Sequence, residues 1–187
     1  YYAFYLRVAT PESYPKLWDK LVNQFGSVRN PEETYPEVYP TDCFIGWYLR
    51  LELLSKFGET DKLIEDIQGY LSKQVELTGT LWEHDVLEKS CNHGFTAVVC
   101  HVMYEQLLGI KNIDIPNKKV IICLRDVPLQ WCKGSIPLAD DKKVYIEWWK
   151  KEEQLHYQIN IPSGFSLEIK NESGMEVKRH FKGNKVF

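Results

Sequence analysis

Phe44-Ile45-Gly46-Trp47-Tyr48-Leu49-Arg50-Leu51-Glu52-Leu53-Leu54-Ser55-Lys56-Phe57 is the stretch whose reading decides the fold. On a helical wheel Phe44, Ile45, Trp47, Tyr48, Leu49, Leu51, Leu53, Leu54 and Phe57 point in nearly every direction. A helix apolar all round is buried all round, whereas a surface helix shows one apolar stripe. The spacing therefore predicts a buried helix over residues 42–57, stopped by Gly58 in the left-handed cap that glycine favours.

The neighbouring segments alternate with it. Upstream, beyond a Pro- and Glu-rich loop from Asn30 to Pro40, residues 11–25 open on Thr10-Pro11 as cap and first helical position. They gather Trp18, Leu21, Val22 and Phe25 on one face, against Lys16, Asp19 and Lys20 on the other, as an amphipathic helix does. Downstream, residues 61–77 are amphipathic again: Leu63, Ile64, Ile67, Tyr70 and Leu71 oppose Lys62, Glu65, Asp66 and Lys73. Residues 94–108 return to the apolar type and stop at Gly109, and Tyr1–Val8 resembles the tail of a further buried helix.

Buried, surface, buried, surface, buried is an order with a geometric meaning. Helices joined by short loops pack antiparallel as hairpins. If every second one is enclosed, the hairpins stand in two concentric layers, as in an α/α toroid rather than a four-helix bundle. About five helices are too few to close such a ring, so the others are expected before Tyr1. The chain opens Tyr-Tyr-Ala-Phe, with neither initiator Met nor signal peptide, as a piece of a longer protein would; its compartment is not legible.

From Lys119 the period changes to two. Lys119–Leu124, Lys143–Trp149, Gln154–Ile161, Phe165–Lys170 and Glu176–Phe181 are expected strands, separated by turn signals at Ala139-Asp140-Asp141, Pro162-Ser163-Gly164 and Glu172-Ser173-Gly174. The expected fold class is α+β and multidomain. Residues 1–112 form the last hairpins of an α/α toroid and residues 113–187 an antiparallel β-sandwich.

Composition narrows the function. At 187 residues the chain can bury one large core or two small ones. A formal charge of −3 argues against a nucleic-acid partner, and no apolar run approaches the roughly 20 residues that span a bilayer. Cys43, Cys91, Cys100, Cys123 and Cys132 are an odd number without zinc-ligand spacing, which favours free thiols packed as small hydrophobes. Six Trp and eleven Tyr fit a large core and a carbohydrate partner alike.

The chemistry concentrates in one connection. Gly79-Thr80-Leu81-Trp82-Glu83-His84, followed by Asn92-His93 at the head of an apolar helix, brings an indole, a carboxylate and an imidazole into one short segment. An indole offers a flat face to sugar C–H groups, a carboxylate can take a proton from water, and an imidazole can bond a hydroxyl. Each also has a plain structural reading. Thr80 and Glu83 have capping-box spacing, and Asn92 can be an N-cap with His93 a first-turn residue. Asp85 and Glu88 are further acids of the kind usually solvated. Glu83, His84 and His93 lack any metal-site spacing, and the chain has neither a phosphate-cradling Gly-rich loop nor a Gly-x-Ser-x-Gly elbow.

At these residues the sequence resembles the C-terminal part of bacterial α-L-rhamnosidases of glycoside hydrolase family 78. Gly79-Thr80-Leu81-Trp82-Glu83, Ser90-Cys91-Asn92-His93-Gly94-Phe95 and Leu107-Leu108-Gly109-Ile110 carry the resemblance. Pro40-Thr41-Asp42-Cys43-Phe44-Ile45-Gly46-Trp47-Tyr48-Leu49-Arg50 is similar to an inner helix of that six-hairpin barrel. Val144–Trp149 and Ile159-Asn160-Ile161-Pro162-Ser163-Gly164 are similar to the closing β-sandwich. The resemblance implies Glu83 as general base, His93 as a sugar contact, and Trp82 as a wall of the site. It implies an inverting hydrolysis whose general acid lies in the earlier part of the same protein, so that this chain alone does not turn over. It calls for a rhamnose-containing carbohydrate as partner, and for no metal or cofactor. Two departures bear on the sugar: His84 and Asp85 stand where the motif continues with Arg and Trp, and Gly94 stands where an aromatic usually follows Asn-His. A glycosidase for another sugar, such as a uronide, and a non-catalytic carbohydrate-binding protein are the alternative readings.

Overall fold

The computed structural model describes residues 1–30, 32–39, 41 and 43–181; Pro40 and Asp42 of the motif above, and Pro31 of the loop before it, fall outside them. The chain forms two compact units, Tyr1–Val102 and Met103–Phe187. The expected boundary after residue 112 falls inside the first strand, Ile110–Asp114. Leu108 and Ile110 belong to the core of the second unit, which draws the division back into the helix before them.

In the first unit α1 (Tyr2–Tyr5) is a single turn that buries Phe4. The buried helix expected over residues 1–8 does not form: Arg7 adopts φ 61, Val8 and Ala9 both donate to the Ala3 carbonyl, and Tyr2, Leu6 and Val8 are exposed. α2 (Pro15–Gln24) starts at Pro15 instead of Pro11, because the Thr10 N–H bonds Ser13 Oγ at 2.9 Å and the Ser13 N–H bonds Thr10 Oγ1 at 3.2 Å, which holds a turn ahead of the helix. It buries Trp18, whose ring lies 5.2 Å from Phe4 and 4.8 Å from Phe57 and whose Nε1 donates to Glu59 at 3.2 Å.

α3 (Phe44–Phe57) buries Trp47, Leu49, Leu51, Leu53 and Leu54 on several sides at once and packs against α1 and its later neighbours. Gly58 closes it at φ 76. Next, α4 (Thr60–Asp66) runs through a π-helical turn (Ile67–Leu71) into α5 (Ser72–Thr78), closed by Gly79 at φ 74. Asp66, expected on its polar face, is buried instead, with its Oδ2 2.6 Å from Arg50 Nε. A 3-10 turn (Gly94–Ala97) leads into α6 (Val98–Val102), which packs on α3 and buries Val99 and Val102. The all-round burial expected for residues 94–108 is not met among the described residues: Phe95, Cys100, His101 and Met103 are exposed.

The second unit opens with a π-helical turn (Met103–Leu107), followed by β1 (Ile110–Asp114), β2 (Lys119–Arg125), β3 (Trp131–Pro137), β4 (Lys143–Lys151), β5 (Gln154–Asn160), β6 (Ser166–Glu172) and β7 (Glu176–Arg179). They form a three-stranded sheet β1-β2-β6 and a four-stranded sheet β3-β4-β5-β7. Val120, Ile122 and Leu124 from one, and Val144, Ile146, Trp148, Leu155 and Ile159 from the other, share a single core, so the unit is a sandwich. It is not wholly antiparallel as expected: β2 pairs with β6, and β5 with β7, in parallel. The joint at Gly109 is fixed by contact. Its φ is 82, the Cys123 N–H bonds its carbonyl at 2.7 Å, and a Cβ there would collide with the Cys123 carbonyl.

Cys123 itself gives a direct test of this core. Burial, and then a hydrogen bond to Glu172, push its thiol up to about 11, so at neutral pH it stays protonated and unreactive. Alkylation at pH 7.5 followed by peptide mapping is expected to label exposed Cys100 first and Cys123 only after denaturation. Early labelling of Cys123 would contradict this packing.

Candidate functional site

Two connections meet at the start of α3. One runs from the end of α2 through residues 25–43, and the other from Gly79 to His93. A helix N-terminus presents N–H groups without partners in the helix. Here the Phe44 N–H donates to the Glu83 carbonyl at 2.8 Å, beside an isolated β-bridge between Cys43 and His84. The Glu83 N–H in turn donates to the Ser90 carbonyl at 2.8 Å, and the His93 N–H to the Leu81 carbonyl at 2.9 Å. Thr80 Oγ1 bonds the Cys91 carbonyl. These bonds fold residues 80–93 into a closed loop.

Neither local capping reading survives. Residues 80–93 contain no helix, and Glu83 is held by its backbone. His93, not Asn92, occupies the cap position of the 3-10 turn, and no side chain bonds there.

Glu83 and His93 are both tied to Phe44, one through the backbone and the other through ring contact. The Phe44 and His93 rings lie 4.4 Å apart, and Phe95 lies 5.3 Å from Phe44 and 5.6 Å from His93. The imidazole and the two phenyl rings thus form one cluster in which each ring touches the other two. The imidazole Nε2 is buried with no hydrogen-bond partner, a state that buried polar atoms seldom keep. Glu83 is half-buried. Trp82 points elsewhere: it is 5 % exposed, its Nε1 donates to Thr78 at 2.7 Å, its N–H donates to Gln74 at 3.0 Å, and its carbonyl accepts from Thr96 at 2.9 Å. Its indole and N–H tie the loop to α5, and its carbonyl ties it to the 3-10 turn.

Next to this loop lies a cavity of about 150 Å³, bordered by Arg29, Thr41, Trp47, Arg50, Tyr70 and Asp85. Trp47 stacks on Tyr70 at 4.2 Å, and its Nε1 is buried without a partner. An open cleft of about 440 Å³ runs past Leu17, Tyr39, Thr41, Cys43 and Ile45. Asp85 borders the first; Glu83 is not among the described residues lining either. Arg29 shapes the other connection, donating to the carbonyls of Thr34 at 3.1 Å and Tyr35 at 2.8 Å. Among the described residues no three His, Cys, Asp or Glu side chains are grouped to hold a metal ion, and no helix is long and apolar enough to cross a membrane.

The sequence singles out Glu83, Trp82 and His93; it does not single out Phe44 and Phe95, whose rings contact the imidazole, or Asp85 as a cavity wall. Phe95 stands two residues after His93 and was available locally. Phe44 is distant in sequence and carried no signal beyond its place in an apolar helix.

No family model matches the sequence, and no curated protein matches it. The structure is similar to the crystal structure of a GH78-family rhamnosidase of Bacillus sp. GL1, with a TM-score of 0.78. The fold is shared. The match covers 97% of this chain and 19% of that one at 19% sequence identity, so the likeness is one of fold, and the chain spans about a fifth of its neighbour's length.

Proposed function

We propose that this chain is the C-terminal portion of an inverting glycoside hydrolase that cleaves terminal α-L-rhamnosides. Its first unit would be the last hairpins of an α/α six-hairpin toroid, and its second the closing sandwich. The observation that carries the reading is the fold likeness to a GH78 rhamnosidase over 97% of the chain, with the Trp82-Glu83 and Asn92-His93 motifs in the expected order. The exposed apolar side chains Ile45, Phe95 and Met103 support it, because earlier hairpins of the same protein would cover them.

In this mechanism Glu83 takes a proton from a water attacking the anomeric carbon, while a carboxylic acid from the earlier part of the protein protonates the leaving oxygen. The two carboxyls stand roughly 6.5–9.5 Å apart to admit that water. His93 bonds a sugar hydroxyl through Nε2, the atom left without a partner here. Phe44 and Phe95 hold the ring in place. Trp82 acts from behind, by fixing the loop that carries Glu83.

The test is an assay of the full-length protein containing this chain against a panel of nitrophenyl glycosides. Hydrolysis of the α-L-rhamnoside with the inverted anomer formed first is expected, and none by the 187-residue chain alone. Preference for a uronide would reassign the sugar. Rhamnoside turnover by the isolated chain would overturn the division of acid and base.

A further inference from the structure

The outer face of the four-stranded sheet is built unlike an ordinary solvated one. Val144, Ile146 and Trp148 of β4 point into the core, so Tyr145, Glu147 and Trp149 point outward. Register carries this across the sheet: Trp131 pairs with Trp149, Trp149 with His156, and His156 with Lys178. One row perpendicular to the strands therefore begins with two indoles and an imidazole. Trp149 stacks on His156 at 5.6 Å with the planes 17° apart, and His180 packs on both rings at 5.0 Å, so Trp131 is the open indole of the row. Trp131, on the edge strand, is 60% exposed, with Lys133 Nζ 5.7 Å from its ring centroid.

The next rows are polar. Lys133, Glu147 and Gln158 are in register, as are Ser135, Tyr145 and Asn160. An exposed indole, Trp131, beside amides, hydroxyls and carboxylates suits a pyranose, whose C–H face packs on an indole while its hydroxyls need donors and acceptors. Charge narrows the choice. The outward positions carry four lysines (Lys133, Lys143, Lys151, Lys178) against two glutamates (Glu147, Glu176), and with Lys151 paired to Glu152 at 3.6 Å three lysines still face the two glutamates, in a chain whose net charge is −3. Both glutamates are engaged by neutral donors, Glu147 by the Tyr145 hydroxyl at 2.6 Å and Glu176 by the Gln154 amide at 2.8 Å. A local excess of positive charge on an acidic chain is complementary to a negatively charged ligand.

We propose that this face binds a polysaccharide carrying uronate carboxylates, with a sugar ring stacked on Trp131 and its carboxylate on Lys133. The surface lies wholly within the second unit and does not depend on Glu83.

Isothermal titration of the 187-residue chain with polygalacturonate, at low salt and at about 0.5 M NaCl, tests this, with the neutral polymer hydroxyethylcellulose as control. Binding of polygalacturonate is expected, with affinity at least about tenfold lower in Trp131→Ala, lower in Lys133→Ala, and reduced by salt. Circular dichroism checks that Trp131→Ala, an exposed position, keeps the fold. Absence of binding overturns the proposal, as does equal affinity for the neutral polymer. Loss in Lys133→Ala with Trp131→Ala unchanged would reduce the face to a general polyanion surface and overturn it too. So would a dimer that Trp131→Ala dissolves, because the face would then belong to a second copy. Glu83→Gln is expected to bind as the parent does, so failure here and failure of the catalytic reading are told apart.

Discussion

Glu83→Gln in the full-length protein is expected to lower kcat for the rhamnoside by about 10²–10⁴-fold, the range that removal of a positioned general base produces, with little change in KM. The substitution keeps the shape of the side chain and removes its basicity. It also spares the loop, because Glu83 is held through its N–H to Ser90 and its carbonyl to Phe44, both of which Gln retains. A loss of activity with unchanged thermal stability therefore reports chemistry. Added azide or formate, as a small external nucleophile or base, is expected to restore part of the rate in Glu83→Ala. Full activity in Glu83→Gln would sink the assignment and return attention to Asp85, the acid that borders the neighbouring cavity.

The second large effect is on stability. Arg50→Ala or Asp66→Ala is expected to destabilise the helical unit by about 3–5 kcal/mol, because each leaves its buried partner without a counter-charge. The two side chains are 2% and 3% exposed. The guanidinium does more than pair with Asp66. It donates to the Val22 carbonyl at 3.1 Å and to that of Leu21, and so satisfies the last turn of α2, where carbonyls have no partner in the helix. Asp66 Oδ1 accepts the Ser27 N–H at 2.8 Å. One ion pair thus joins three helices, and Gly26 lacks a Cβ where one would lie 2.6 Å from Arg50 Nη2 and 2.7 Å from Asp66 Oδ1. Urea unfolding followed by helical circular dichroism gives the measurement. A change below about 1 kcal/mol in both variants would show the pair to be solvated. The double variant Arg50→Met/Asp66→Leu is expected to recover part of the loss.

The elements legible in the sequence were those whose signal is local. α3 declared itself by apolar residues on every side, and Gly58 marked its end by supplying positive φ. Five strands showed alternation or β-branched runs. β3 did not, because Gly134 and Pro137 interrupt it. Gly134 makes room for Leu108, and Pro137 is tolerated because β3 lies at a sheet edge. The parallel pairings β2–β6 and β5–β7 depend on which sheet each late strand joins, and no local pattern encodes that. Asp66 was misplaced for a similar reason. A charge on an amphipathic helix is read as solvated unless its distant partner is known, and that partner is Arg50. In the candidate site, Glu83, Asp85 and His93 share one short segment and could be read together. Their relation to Phe44 is a tertiary fact.

The pair of main-chain bonds that brackets Glu83 has an evolutionary consequence. Main-chain bonds survive every side-chain exchange except proline, so residues 84–89, which lie between the Glu83 N–H and the Ser90 carbonyl it reaches, can drift without displacing the carboxylate. Divergence would then collect in this small excursion, while the Glu83 main chain keeps its station on the first residue of α3.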